Sequence, residues 1–164
     1  MFYDDGKIKV RKANKEDARY IAQHMRQCDK DEVWASDHKT PDEAMREGLQ
    51  NSIFACTVEN GVPIAMFGIC PFDITGDQAS VWLLATDDLD KIKVRFALNS
   101  RKFIDTMLEY YPKLENYVDA RNTKSINWLK FCGAKVDDPV PFGAEKKPFH
   151  HFEFTRSNIT CAHQ

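Results

Sequence analysis

Residues 116–134 of the chain, NYVDARNTKSINWLKFCGA, carry the most informative local pattern in the sequence. The apolar run 116–120 predicts a short strand, and Asn122 soon after it is a typical N-cap residue. A helix of about two turns then leads to Gly133, since glycine is the residue that most often ends a helix. The side chains expected to face the body of the domain are Ser125, Ile126, Leu129 and Phe131. The stretch therefore predicts a strand followed directly by a short helix.

The amino-terminal part of the chain predicts one strand and two helices. Residues 8–13 alternate apolar and basic side chains, as in a strand with one face in water. Asn14 and Asp17 indicate the start of a helix, and Thr40-Pro41-Asp42-Glu43 indicates a second one with a full capping box. The apolar stripe of the first helix is formed by Ala18, Ile21, Ala22 and Met25.

Three antiparallel strands and a long helix are predicted next. The apolar runs 53–58 and 64–70 flank Asn60-Gly61, which is typical of a hairpin turn, and residues 79–86 predict a third strand. The long helix that follows ends at Pro112. Its apolar face consists of two rows, Phe96, Phe103, Met107 and Tyr110, and beside them Ala97, Ile104, Leu108 and Tyr111.

The carboxyl-terminal part predicts two more strands, one beginning near Val136 and one over residues 150–155, with a proline-rich loop between them. The order of elements predicts a mixed α/β fold (an α+β mixed sheet), with a central, mostly antiparallel sheet flanked by helices. A length of 164 residues predicts a single domain, residues 1–164, with a core over about 7–155 and a C-terminal tail at 156–164.

Composition narrows the classes of function. A net charge of −2 argues against general nucleic-acid binding. Five cysteines without metal-type spacing predict reduced thiols in a cytosolic compartment. The polar, acidic start predicts no signal peptide, and no apolar run approaches the ~18 residues that a membrane span needs. His150 and His151 would point to opposite faces of a strand, so no metal site is expected.

The spacing of eleven residues between Asn122 and Gly133 resembles the last helix of the GNAT (Gcn5-related N-acyltransferase) superfamily. The order of elements from about Ile8 to Thr155 is similar to that of the same superfamily. The resemblance implies an acyltransferase fold in which a helix side chain, usually a tyrosine, donates a proton to the thiolate of coenzyme A. Leu129 occupies that position here and has no proton to donate.

The resemblance also implies where acetyl-CoA would bind if the protein is enzymatic. The strand that ends at Leu84, Ala85 and Thr86 would hold the pantetheine arm along its edge. In the superfamily a glycine-rich turn then cradles the pyrophosphate, but residues 87–96 contain no glycine and three aspartates. The residues that remain as cofactor candidates are Leu84, Ala85, Thr86, Lys91, Lys93, Arg95 and Asn122.

Acid and base chemistry is not assigned to any residue by the sequence. Acyl transfer to an amine needs a base, and Glu59, Asp73 and Asp77 are candidates in loops beside the sheet. Tyr110 and Tyr111 end the apolar face of the long helix, so core packing is expected for both. A buried structural role is likewise expected for Cys132, the residue immediately before Gly133.

A narrower resemblance covers about Val81 to Asp138. Leu-Glu-Tyr-Tyr at 108–111, Asn-Tyr-Val at 116–118 and Trp-Leu-Lys at 128–130 resemble the internal virion protein A type family of short-tailed bacteriophages. Gly133-Ala134 completes that pattern. The resemblance implies a phage protein of internal core assembly or genome delivery, without a membrane span, that acts through contacts with other phage or host proteins.

Three hypotheses follow for function. The first is a GNAT-like phage pseudoenzyme that binds other proteins in the host cytoplasm, with association with the virion left open. The second is an acyl-CoA-dependent N-acyltransferase with a divergent cofactor loop. The third is a plain α/β binding module unrelated to acyl-CoA. This hypothesis would be favoured if the two middle strands did not splay. In the first hypothesis, Val94 and Phe96 are candidates to fill the cleft between the strands that end near Thr86 and Val118.

Overall fold

The computed structural model describes residues 3–73 and 76–156, and the eight strands in those residues form one mixed sheet. The order across the sheet is β1-β2-β3-β4-β5-β6-β8-β7. All neighbours are antiparallel except β5 and β6, which are parallel. The strands are β1 (Tyr3–Asp4), β2 (Lys9–Lys12), β3 (Phe54–Glu59), β4 (Pro63–Pro71), β5 (Gln78–Ala85), β6 (Lys113–Asp119), β7 (Lys135–Phe142) and β8 (Lys147–Thr155). The helices are α1 (Lys15–Gln23), α2 (Gln27–Asp37), α3 (Pro41–Asn51), α4 (Leu89–Tyr110) and α5 (Thr123–Phe131).

The predicted fold class and the predicted local signals are confirmed. Asn14 and Thr40 each accept from the third helical residue in a complete capping box. The β3–β4 hairpin turns at Gly61, where φ is 74°, a conformation that glycine adopts without strain. Asn122 caps α5, and its side chain accepts from the Ser125 N–H at 3.3 Å.

Some elements differ from the sequence prediction. Strand β1 pairs with β2 ahead of the predicted first strand, and helix α2 was not predicted at all. The proline-rich segment is not a loop, because Pro139 and Pro141 lie within β7 at the edge of the sheet. A proline is tolerated at an edge since its missing N–H can face water.

Two exposed aromatic side chains also correct the prediction. Phe131 and Tyr110 were expected to pack inward, but both are exposed. Tyr110 ends α4 beside Phe54, with the ring centroids 5.8 Å apart. The other positions predicted to face inward from α5 are buried at Ile126 and Leu129 and half-buried at Ser125.

Strands β5 and β6 pair only at one end, and this positions the site. Their parallel ladder covers Gln78–Ser80 and Lys113–Glu115, and β5 then continues without pairing with β6. Strand β6 pairs along its whole length with β8 instead. The two strands therefore diverge toward Ala85 and Asp119, and a V-shaped cleft opens through the sheet.

The sheet has a core on each face. Helices α4 and α5 cover one face, where Phe67, Phe103, Leu114 and Phe152 are among the buried side chains. Helices α1 and α3 cover the other face over a smaller cluster that includes Ile21. The cleft opens through the sheet between these two helix layers, where β5 and β6 diverge.

Candidate functional site

A cavity of about 820 Å³ occupies the cleft between the diverging strands. Strand β5 contributes Trp82 and Leu84 to its walls, and β6 contributes Tyr117 and Val118. Helices α2 and α3 line one side of the cavity, and α4 and α5 line the other. The cavity therefore reaches both faces of the sheet.

The side chains expected to fill the cleft leave it open. Val94 on α4 lines the cavity but is exposed and does not fill it. Phe96 is buried in the cleft wall, where its ring stacks on Trp128 with the centroids 5.8 Å apart. The cleft therefore has space for a ligand. The groups at the edges of the cleft determine what ligand could bind there.

Helix α2 crosses the wide end of the cleft. The Asp29 carboxylate accepts from the Ala85 N–H at 2.8 Å, at the end of β5. One turn later, the Glu32 carboxylate accepts from the Asp119 N–H at 3.0 Å, at the end of β6. Two side chains of one helix therefore join the tips of both strands.

These carboxyl groups have shifted acidities. Burial, together with the negative charge of Asp29, raises the pKa of Glu32 to about 7. Burial also raises the pKa of Asp29. Arg26 offsets part of the charge, with its Nε 2.8 Å from Asp29 Oδ2, although the N–H is not aligned for a hydrogen bond. Its Nη2 donates to the Ser125 hydroxyl on α5 at 3.3 Å.

The cleft edge of β5 is bonded within the protein at two positions, Val81 and Ala85. The Asn116 side chain donates to the Val81 carbonyl at 2.9 Å. The Ala85 N–H is bound by Asp29, and the Ala85 carbonyl accepts from the Arg26 N–H at 2.9 Å. A pantetheine arm that paired along this edge would compete with these bonds at both ends.

The start of α4 has its amides occupied as well. The N–H groups of Leu89, Asp90 and Lys91 donate to the carbonyls three residues earlier, at 3.2, 3.2 and 3.0 Å. The Thr86 N–H donates to the Ile64 carbonyl at 2.8 Å. The helix therefore starts with a tight turn that satisfies its own donors, whereas a phosphate-binding turn leaves such donors free.

The basic residues near this turn point in different directions. Lys91 pairs with Asp88 at 2.6 Å, and Arg95 pairs with Asp5 on the far side of α4. Lys93 is exposed and lines the cavity. Of the sequence-predicted cofactor residues, only Leu84 and Lys93 line this cavity among the described residues.

An ion pair joins the first turns of α4 and α5. Lys124 Nζ lies 2.8 Å from Asp90 Oδ2, and both residues line the cavity. Asn122, also predicted as a cofactor residue, caps α5 and donates from Nδ2 to Glu32 Oε2 at 3.3 Å. These contacts join α5 to α4 and to α2 at the edge of the cleft.

The helix position that the resemblance assigns to a proton donor lies in the cleft wall. Leu129 is buried and lines the cavity. Tyr117 is the one tyrosine in that wall among the described residues, and its ring stacks on Phe142 with the centroids 3.8 Å apart. Tyr117 lies on β6 and not on α5, so it does not occupy the donor position.

The base candidates from the sequence lie away from the cleft. Glu59 pairs with Arg11 on the β2–β3 side of the sheet. Asp77 lies where β5 and β6 are joined, since its carbonyl accepts from the Lys113 N–H at 3.2 Å, and Asp73 precedes it in the β4–β5 connection. Sequence reasoning missed Asp29 and Glu32; their spacing of three on one polar helix was the only signal.

The histidine pair and the buried cysteine lie outside this chemistry. The His151 ring bridges Asp137 at 2.9 Å and Glu115 at 3.0 Å, and His150 contacts the Asp137 carbonyl at 2.8 Å. Cys132 is fully buried, and burial raises the pKa of its thiol to about 12. The glycosylation pattern at 158–160 and Cys161 lie outside the described residues.

The fold matches solved acetyltransferase structures over almost the whole chain. Spermidine N-acetyltransferase from Vibrio cholerae, in complex with CoA and spermine, aligns with a TM-score of 0.64 at 14% identity, over 95% of this chain and 99% of that one. The GNAT family acetyltransferase from Bacillus anthracis aligns with a TM-score of 0.67 at 9% identity, over 96% and 99%. Identities this low show the fold alone.

The central part of the chain is similar to a phage protein. The family model described as Bacteriophage T7, probable scaffold protein Gp13, matches residues 61–139. The probable scaffold protein gp13 of Escherichia phage T7 is 37% identical over 78 residues, 45% of this chain and 51% of that protein. The chain thus spans about half the length of this curated relative. No helix within residues 3–73 and 76–156 is long and apolar enough to cross a membrane. The chain has the GNAT acetyltransferase fold, and its central part is similar to the T7 scaffold-protein family.

Proposed function

We propose that the protein is a GNAT-fold phage assembly protein that does not transfer acyl groups and acts through contacts with other proteins. The observation that carries this proposal is the start of α4. The amides of Leu89, Asp90 and Lys91 donate to carbonyls of their own turn, so they are not available to a pyrophosphate. Three aspartates in the same segment add repulsion toward a diphosphate.

Two further features support a pseudoenzyme. Asp29 and Arg26 occupy the backbone of Ala85, which a pantetheine arm would need. Leu129 in the cleft wall has no proton for a thiolate leaving group. Binding and turnover are therefore impaired by separate residues.

The partners that we propose are other phage proteins or host proteins, met in the host cytoplasm during assembly of the virion. The similarity to the T7 probable scaffold protein over residues 61–139 supports this. The matched segment contains β5, α4, β6 and α5, which form the diverging strands and one side of the cleft.

Isothermal titration calorimetry with acetyl-CoA tests the proposal. We expect no saturable heat up to about 1 mM cofactor, which corresponds to a binding free energy weaker than about −4 kcal/mol. A GNAT spermidine acetyltransferase titrated in the same buffer is the positive control. Saturable binding in the micromolar range would contradict the non-catalytic function.

One observation favours the alternative, an acyl-CoA-dependent N-acyltransferase. The cleft is open, and Glu32 has a pKa of about 7, which suits a general base near neutral pH. Mass spectrometry of candidate amines and phage or host proteins incubated with acetyl-CoA tests it. The alternative predicts acetylated products that disappear in Glu32→Gln and Lys93→Ala, whereas Arg95→Ala, on the far side of α4, should retain them.

A further inference from the structure

Three apolar side chains are exposed together on the outer surface of α4 and α5. Val94 is 69% exposed and Leu98 64% exposed, one turn apart on α4, and Phe131 at the end of α5 is 43% exposed. Val94 and Phe131 both line the cavity, and Leu98 lies between Val94 and Arg101 on α4, whose guanidinium covers the Phe131 ring. We call Val94, Leu98 and Phe131 the α4–α5 surface.

Phe131 is held in place on this surface. The Arg101 guanidinium lies over its ring, 4.6 Å from the centroid. The same guanidinium donates to the Phe131 carbonyl from Nε at 3.0 Å and from Nη2 at 2.6 Å. An exposed aromatic side chain whose position is already fixed loses little entropy on binding, as is typical of an interface anchor.

The rim of the α4–α5 surface is basic. Lys93 precedes Val94, Lys102 lies one turn after Leu98, and Lys130 precedes Phe131; all three are exposed. Asp90, the acidic residue nearest to the start of this surface, is paired with Lys124. The charge around the apolar side chains therefore favours a ligand with acidic flanks.

The shape of the surface favours a helical ligand. Helices α4 and α5 are linked at three successive places, by Asp90–Lys124, by the stacked rings of Phe96 and Trp128, and by Arg101 with Phe131. The rows of side chains on a helix surface form ridges and grooves against which a further helix can pack. Apolar anchors at a spacing of four residues suit such a helix.

We infer that the α4–α5 surface binds an amphipathic helix of a protein partner, with an apolar row against Val94, Leu98 and Phe131 and acidic residues toward Lys93, Lys102 and Lys130. This rests on the proposed function, since it names the surface through which the assembly protein makes its contacts. An anionic membrane is a poorer fit, because the apolar area is only three side chains and Asp87 and Asp88 lie at the start of the same helix.

The test uses a synthetic helical peptide with leucines at positions i, i+4 and i+7 and glutamates on both flanks, read by fluorescence anisotropy. We expect saturable binding with a Kd of about 10–100 μM, and no binding of a matched peptide in which lysines replace the glutamates. Val94→Glu and Leu98→Glu should each weaken binding by about tenfold or more. Ile53→Glu is the matched control, because Ile53 is 51% exposed but lies before β3 and away from this surface.

Several binding results would overturn the inference. The acidic peptide could show no saturable binding, or the lysine peptide or the Val94 and Leu98 variants could bind equally well. The protein could also bind phosphatidylserine vesicles in preference to the peptide. Sedimentation that showed a dimer lost in Leu98→Glu would assign the surface to a second copy of the chain and overturn it too. Acetyl-CoA calorimetry keeps the two proposals distinct, since cofactor binding contradicts the pseudoenzyme, whereas peptide failure without cofactor binding contradicts only this surface.

Discussion

Asp29 and Glu32 lie one turn apart on α2, and their carboxylates accept hydrogen bonds from two different strands, at Ala85 on β5 and at Asp119 on β6. The strands that diverge at the cleft are therefore linked again at their tips by one helix. This link fixes the width of the cleft. It also places two acidic groups of raised pKa at the cleft's wide end.

Glu32 should make stability depend on pH near neutrality. Its pKa is about 7 in the folded protein against an ordinary value of 4.5, so folding favours the protonated form. The stabilising contribution is complete below about pH 4.5 and is lost as the pH rises through about 7. Glu32→Gln keeps an acceptor for the Asp119 N–H without the charge, so it should remove this part of the pH dependence.

Urea unfolding between about pH 5 and pH 8 measures the effect of Glu32. The free energy of unfolding of Glu32→Gln should exceed that of the wild type increasingly as the pH rises. Glu109→Gln, at an exposed position near the end of α4, is the control and should follow the wild type. Parallel curves for wild type and Glu32→Gln would contradict the assignment.

Removal of the Asp29 carboxylate should strongly destabilise the fold. Asp29→Ala leaves the Ala85 N–H without its acceptor and Arg26 without its buried counter-charge, at an expected cost of about 3 kcal/mol. Asp29→Asn keeps an acceptor oxygen, so its loss should be smaller. Equilibrium unfolding of both variants checks the order, and an Asp29→Ala loss below about 0.5 kcal/mol would show that α2 does not join the strands.

Installing the missing proton donor should not create an enzyme. Leu129→Tyr restores the side chain that the superfamily uses, but the amides at the start of α4 stay occupied, so no acyl-CoA is held beside it. We expect no acetylated product by mass spectrometry. Because Leu129 is buried, thermal unfolding must first show that the variant folds. Acetyl transfer by folded Leu129→Tyr would mean that the cofactor binds after all.

Cys132 should be protected from thiol reagents in the native state. It is fully buried, and its thiol has a pKa of about 12, so almost no thiolate forms at neutral pH. Labelling with a maleimide, followed by peptide mass spectrometry, should modify Cys132 only after unfolding. The half-buried Cys70 is the internal comparison. Native labelling of Cys132 at the rate of Cys70 would contradict the packing of α5.

The parts of the fold that local chemistry specifies were predictable from sequence. The N-cap of a helix is signalled by the residue type and its close neighbours in sequence. Three residues predicted in this way are N-caps in the structure: Asn14, Thr40 and Asn122. Helix α2 lacks such signals, because Arg26 at its N-cap makes no side-chain cap bond and its buried side chains, Asp29 and Ala35, form no apolar stripe. Its role depends on distant partners that no local pattern reveals.

The features of the candidate site that lie within one short stretch of sequence were predictable, whereas those formed by residues distant in the chain were not. The glycine-free turn and Leu129 were evident from sequence, since each concerns the residue type at a known position. The occupied edge of β5 was not, because Asp29 lies 56 residues from Ala85 in the chain. Phe131 could not be placed from its spacing on α5, since its exposure depends on Arg101 holding it at the surface.

Nuclear magnetic resonance of the ¹⁵N-labelled protein shows whether the amides at the start of α4 bind the cofactor, because it observes these donors themselves. With a large excess of acetyl-CoA, the amide signals of Leu89, Asp90 and Lys91 should keep their positions, since these N–H groups stay bound within their own turn. Saturable shifts of these three signals, together with that of Ala85, would show the cofactor held at the start of α4 and would contradict the account.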